Sequence, residues 1–162
     1  MPITDLKSLF VHGLQDIYYA EKQILKALPK MAKKADSAQL RKSFEDHRAE
    51  TEEQVTRLEK VFEIVGEKAK GEKCPAIEGI IAEAEEQMKE IKDKDTLDAA
   101  MIAAAQAVEH YEITRYGTLV SWGNLLGLKD ASKLLGETLK EEKDTDMKLT
   151  KLAESKLNKE AA

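Results

Sequence analysis

Cysteine, proline, glycine and aromatic residues are all scarce in this chain, and each scarcity removes a class of protein. Among 162 residues there is one cysteine, Cys74. It rules out an intrachain disulfide and any zinc or iron–sulfur centre built on cysteine. It precedes Pro75, which suggests a plain thiol at a loop–helix junction. Three prolines and eight glycines leave long stretches with no breaker. Aromatics are 5%, and residues that favour strands are sparse. No apolar run approaches the roughly 20 residues of a membrane span. The opening "MPITDLKSLF" lacks the basic segment and apolar block of a secretory signal. No membrane partner is expected, and the expected location is cytoplasmic. A basic stripe is also missing. The 26 Lys and Arg are mixed with 31 Asp and Glu, for a net charge of -5. The pairs Lys33, Lys34 and Lys156, Lys159 are too small to serve a nucleic acid.

What remains is rich in Ala, Leu, Glu and Lys, with 42% hydrophobic and 35% charged residues. That composition predicts an all-α protein. The length suits one domain over residues 1–162 with a real core.

Hydrophobic periodicity near 3.6 residues predicts four long helices and one short one. The first spans about Ile3 to Lys34, capped by Thr4 or Asp5. Its stripe includes Leu6, Phe10, Leu14, Ile17, Ile24 and Leu28, and Pro29 falls inside it. Asp36 or Ser37 then caps a second helix, about Ala38 to Val65, with Leu40, Phe44, His47, Thr51, Val55, Leu58 and Phe62 on its stripe. "GEKAKGEKCP" is the clearest break. A short helix follows, about Pro75 to Ile91. The third long helix runs from about Thr96 to Leu126, and Gly127 ends it. The fourth runs from about Asp130 to Leu157, with Asp130 as its cap. Two hairpin-like pairs joined by a long, partly helical connection describe a four-helix bundle with a crossover that carries a short fifth helix.

Four of these stripes contain groups that do not belong in a core. Advancing 100° per residue, Glu21 falls between Ile17 and Ile24 on the first helix. His47 falls between Phe44 and Thr51 on the second, with Glu50 at the edge. Glu109 and Glu112 sit among Ile102, Ala105, Ile113 and Tyr116 on the third. Glu142 sits between Leu139 and Leu149 on the fourth, with Asp146 near it. Thr51 and Gln54 are inward and polar, placed to orient ligands. Tyr116 lies one turn beyond Glu112, within reach of a carboxylate. His12 and His110 point away. A buried carboxylate costs several kcal/mol unless it is neutralised. Arg115 and Lys143 lie off the arcs, so no internal cation is evident. A single inward Glu is an ordinary flank residue, and a single inward His an ordinary core residue. The coincidence on four helices points to a metal ion. Carboxylates with one imidazole suit iron or manganese, and zinc less specifically.

The chain resembles the YciF/YciE family of bacterial stress-associated proteins over nearly its whole length. The resemblance rests on "LQDIYYAEKQILKALPKMA", "SFEDHRAETEEQVTRLEKVFE", "CPAIEGII", "DAAMIAAAQAVEHYEITRYGTL" and "LLGETLKEEKDTDMKLTKLA". It implies a ferritin-like fold related to rubrerythrin, a di-metal position inside the bundle, a homodimer, and a role in osmotic or general stress. The ferritin-like ligand pattern carries over in part. Glu21 fits the first helix, and Glu109 and Glu112 match a Glu-x-x-Glu third helix. The second helix reads His47-x-x-Glu50, the reverse of the usual order. The fourth offers Glu142 and Asp146 and no histidine.

Two functions follow as expectations. One is a di-iron or mixed-metal protein with Glu21, His47, Glu109, Glu112 and Glu142 as ligands, and Glu50 and Asp146 bridging or closing the shell. Its substrate would be a small oxidant or the metal ion itself; manganese, zinc, magnesium or calcium are other occupants of such an oxygen-rich site. The other is a non-catalytic module for self-association or partner binding, with an exposed patch at Trp122 and Leu126.

Overall fold

Three of the helices begin where the sequence supplies a side-chain acceptor for their free N–H groups. The computed structural model describes residues 2–162. Helix α1 spans Leu6–Lys34, and Asp5 and Ser8 form a reciprocal capping box at its start. Helix α2 spans Ala38–Val65 with Ser37 as its cap. Gly66 ends it with φ 75°, a left-handed conformation that suits glycine. Helix α3, Pro75–Glu90, starts with proline in its first position, where the missing N–H costs nothing. Helix α4, Lys94–Leu125, is capped by Asp93 through Thr96 N. Helix α5 spans Lys129–Leu152. A π-helical turn, Ala153–Leu157, and helix α6, Asn158–Ala161, complete the chain.

Four boundaries differ from expectation, the first being α1, which starts at Leu6 rather than about Ile3 because Asp5 is its cap. Asp130 is not the cap of α5 but lies in its first turn. Gly127, at φ 74°, reverses the chain so tightly that Leu128 stands in the cap position, without a side-chain acceptor. The fourth helix does not run uniformly to Leu157, because α-helical bonding gives way at Ala153 to the wider turn. Helix α4 starts two residues before Thr96, since Asp93 is the better acceptor.

Helices α1 and α2 pack as one pair and α4 and α5 as another; α1 also packs on α4, and α2 on α5. The result is a four-helix bundle. Asp98, near the start of α4, accepts hydrogen bonds from the backbone N–H of Asp36 (2.9 Å) and of Ser37 (2.7 Å) in the α1–α2 turn. Helices α2 and α4 therefore start at the same end and run the same way, so the chain between them must travel back along the bundle. Helix α3 supplies much of that length, roughly 24 Å at 1.5 Å per residue. It packs along α4 and α1. This outer cover explains why "AAMIAAAQAV" in α4 is apolar on more than one face.

Phe10, Leu14, Ile17, Leu40, Phe44, Leu58, Phe62, Ile102, Tyr116 and Leu119 fill the interior, each nearly or wholly inaccessible. Gly123 permits a close crossing of helices, since a Cβ there would stand 2.4 Å from Ser132 Oγ. The patch expected at Trp122 and Leu126 is not an exposed one: both are half-buried and pack against the core. The apolar residue between them that does face solvent is Leu125, at 76% exposure. Among the described residues no helix is long and apolar enough to cross a membrane.

Candidate metal centre

The core is apolar at both ends of the bundle and acidic in the middle. Glu21 on α1, Glu109 and Glu112 on α4 and Glu142 on α5 have no solvent exposure, and His47 on α2 has 5%. Spacing explains the convergence. On α4 the stripe Ile102, Ala105, Glu109, Glu112 and Tyr116 advances by three or four residues at each step, so its polar members project with its apolar ones. The same holds for Ile17, Glu21 and Ile24 on α1, and for Thr138, Glu142 and Thr145 on α5.

One ligand atom each from His47, Glu109, Glu112 and Glu142 lies within 4.8 Å of every other. Oxygen and nitrogen donors bind a first-row ion at about 2.0–2.2 Å, so donors on opposite sides stand up to ~4.4 Å apart. Shifts of a few tenths of an ångström would bring all four onto one ion. Nδ1 of His47 is 3.1 Å from Oε1 of Glu109, and Nε2 is 3.9 Å from Oε2 of Glu142. Neither pair has hydrogen-bond geometry: both oxygens and Nε2 are without a partner.

Indeed most of the cluster is unpartnered. Both oxygens of Glu109 and of Glu112 lack a hydrogen bond, as do Oε2 of Glu21 and Oε2 of Glu142. The other oxygen of Glu21 accepts from the Tyr116 hydroxyl at 2.5 Å, and Gln54 Nε2 donates to Oε1 of Glu142. Burial, followed by the neighbouring Glu142 carboxylate, pushes Glu21 up to about 8. Burial raises Glu109 and Glu112 well above the ordinary carboxylate range, and the facing carboxylates add to it. Burial also lowers His47, which favours the neutral imidazole that binds metals.

The two remaining predicted residues stand at the margin. Glu50 is half-buried and accepts from Thr145 Oγ1 at 3.2 Å. Burial, then the charges of Glu141 and Glu142, raises it. Asp146 turns toward α4 instead. Its oxygens meet Gln106 Nε2 at 3.0 Å and His110 Nε2 at 3.1 Å. On α5, Asp146 is one residue past the buried Thr145, and that 100° step takes it to the α4 side.

Sequence reasoning missed Arg57. Its side chain is 16% exposed, and the guanidinium donates to both oxygens of Glu141, at 2.7 and 2.9 Å, and to Thr138 Oγ1. Burial pushes Glu141 up, but the hydrogen bonds from Arg57 and Gln54, with the charge of Arg57, more than reverse this. The cation is thus committed to Glu141. Gln54 joins the two layers, donating to Glu141 at 3.1 Å as well as to Glu142. Thr51 donates to the His47 carbonyl at 2.8 Å and so holds the helix, not the imidazole.

Residues 5–162 match the model of a family described as a domain of unknown function, DUF892. The chain belongs to this family. It is 46% identical to Protein YciF of Escherichia coli K12 over 162 residues, covering 99% of this chain and 98% of YciF. The crystal structure of the E. coli stress protein YciF superposes with a TM-score of 0.93, covering 97% of this chain and 99% of that one. YcfI of Rhodopseudomonas palustris, 51% identical, gives a TM-score of 0.90 over 91% of this chain and 94% of its own. A Xanthomonas campestris protein, XCC3681, shares the fold at 22% identity, with a TM-score of 0.71 over 93% of this chain and 92% of its own. The resemblance read from the five sequence blocks and the predicted helical bundle are both borne out.

Proposed function

We propose that the protein is a ferritin-like, homodimeric stress protein that holds two metal ions, iron foremost, and handles iron or a small oxidant with them. One observation carries this reading: His47, Glu109, Glu112 and Glu142, from three helices, meet in the core with Glu21 of a fourth buried beside them, and most of their donor atoms are unpartnered. Protonation would let one carboxyl donate to a facing carboxylate, but it would still leave several acceptor oxygens unfilled in a dry interior, a costly arrangement to keep. Bound cations would draw on these oxygens directly.

The donors fit the group. Carboxylate oxygens with one imidazole suit iron and manganese. His47, Glu109, Glu112 and Glu142 would hold one ion, and Glu21 with the shared carboxylates would complete the pair, Glu50 standing at the margin. A bound ferrous pair supplies two electrons, enough with two protons to take dioxygen to hydrogen peroxide or peroxide to water. The protein's own share is positional. Gln54 fixes Glu142 by hydrogen bonding, and Tyr116 does the same for Glu21. Arg57 keeps Glu141 engaged outside the cluster. The apolar layers above and below exclude bulk water.

The test is metal analysis of protein purified from its own host, paired with oxidant consumption by the iron-loaded form. Iron or manganese near two ions per chain, with consumption lost in Glu112→Ala, is expected. Protein that carries no transition metal and consumes neither oxidant overturns it. A second reading rests on the 76% exposure of Leu125 and the 62% exposure of Met147, and on YcfI, described as a candidate structural protein. In that reading the protein works by association, and chelation leaves its assembly and partner binding unchanged.

A further inference from the structure

A cavity under α3 leads toward the acidic cluster from the side. It leaves about 30 Å³ for the centre of a water-sized molecule. One water needs roughly 10–15 Å³ of such volume, so the space suits a molecule of two heavy atoms. Ile24 and Met31 of α1, Ala84 and Met88 of α3, and Ala105 and Val108 of α4 line it. At its inner end stand His47 and Glu109. At its outer end stand Lys30 and Glu85, whose ion pair at 2.8 Å joins α1 to α3.

The wall chemistry selects what can occupy it. A buried water needs two to four polar partners, and an apolar cavity stays dry. Hydrogen peroxide has two hydroxyls to satisfy and meets the same penalty along this wall. Dioxygen has two heavy atoms, no charge and no hydrogen-bond donor. The alanines keep the space open, since larger side chains at Ala84 or Ala105 would fill it. Helix α3 contributes none of the cluster's side chains, so this wall can vary independently of the donors.

We infer that the α3 cavity is a binding site for dioxygen, placed to deliver it to the His47 and Glu109 side of the cluster. This assignment rests on the metal reading only for its purpose; the site itself requires no metal. It makes dioxygen, not peroxide, the oxidant admitted from this face.

The test uses metal-free protein with methyl labelling. Dissolved dioxygen is paramagnetic and speeds the relaxation of methyl groups it visits. Enhancement at the methyls of Met31, Met88 and Ala105 should exceed by several-fold that at Leu135 and Leu149, which are buried elsewhere in the bundle. Ala84→Leu should reduce the excess to the background level. No excess in the unsubstituted protein overturns the inference, as does an excess that Ala84→Leu leaves in place. A second arm uses iron-loaded protein. Ala84→Leu should slow dioxygen consumption several-fold, with peroxide consumption and metal affinity unchanged; equal slowing of both oxidants overturns the selectivity. Failure of metal loading would end the functional reading and leave the methyl result standing. Absence of the methyl effect would end this inference and leave metal binding intact.

Discussion

Asp98 and Glu112 lie on the same stripe of α4, and both are sealed from solvent, at 2% and 0% exposure. Their surroundings differ in kind. Asp98 accepts from the N–H of Asp36 and the N–H of Ser37, one to each oxygen. Glu112 has no partner on either oxygen and is crowded by other carboxylates. Folding alone accounts for Asp98, which joins the start of α4 to the α1–α2 turn. It does not account for Glu112, because an apolar residue would pack there at less cost. A buried acid whose bonds are all made is architecture. A set of buried acids whose bonds are unmade is a place for something else.

The contrast can be broken in several ways. The largest effect should come from metal. Anaerobic ferrous or manganous ions at about 1,000 times Kd should add ~4 kcal/mol to stability, near 10 °C in Tm for a chain of this size. Calorimetry should show the rise in the unsubstituted protein and none in a Glu109→Ala, Glu112→Ala double variant. Asp98→Ala should do the reverse. It leaves two N–H groups without their acceptor and should cost about 2 kcal/mol in urea unfolding, with metal binding intact. Gln54→Leu removes the donor that orients Glu142, and the measured metal affinity should fall roughly 10- to 100-fold.

A pH series sharpens the same comparison. Glu21 titrates near 4.5 when unfolded and at about 8 in the folded protein. Below pH 4.5 it is protonated in both states. Between those values the folded chain holds a proton that the unfolded chain has lost, so stability falls as pH rises. Glu109 and Glu112 shift in the same direction. The lowered His47 opposes them, as one group against three. The Tm of metal-free protein should therefore drop from pH 5.5 to pH 8, by ~5 °C on the usual scaling. The metal-loaded Tm should not, because ions compete better with protons as pH rises. The smallest effect belongs to Asp5→Ala, which removes the capping box of α1 and should cost about 1 kcal/mol without touching the metal.

Much of this was legible in the sequence because helical phase is local. Glu21, His47, Glu109, Glu112 and Glu142 are buried where a 100° step puts them. Gln54, read as inward, does reach a cluster carboxylate. Asp98 had the same signal, four residues before Ile102, but its meaning depends on N–H groups more than sixty residues away. Arg57 and Glu141 lie beside their stripes, and only the packing of α2 on α5 turns two flank residues into a half-buried pair. Asp146 shows the limit of phase in the other direction. One step off the stripe sends it to Gln106 and His110. The cavity under α3 was not legible, because it depends on how a crossover helix lies over two others.

The central claim is that the unpartnered carboxylates are a cation site. Anaerobic titration of chelator-stripped protein with ferrous ion, read by calorimetry, tests it most directly. The account predicts saturation at about two ions per chain, lost in the Glu109→Ala, Glu112→Ala variant. Heat no greater than that variant gives would contradict it, and the buried acids would then need a different cause.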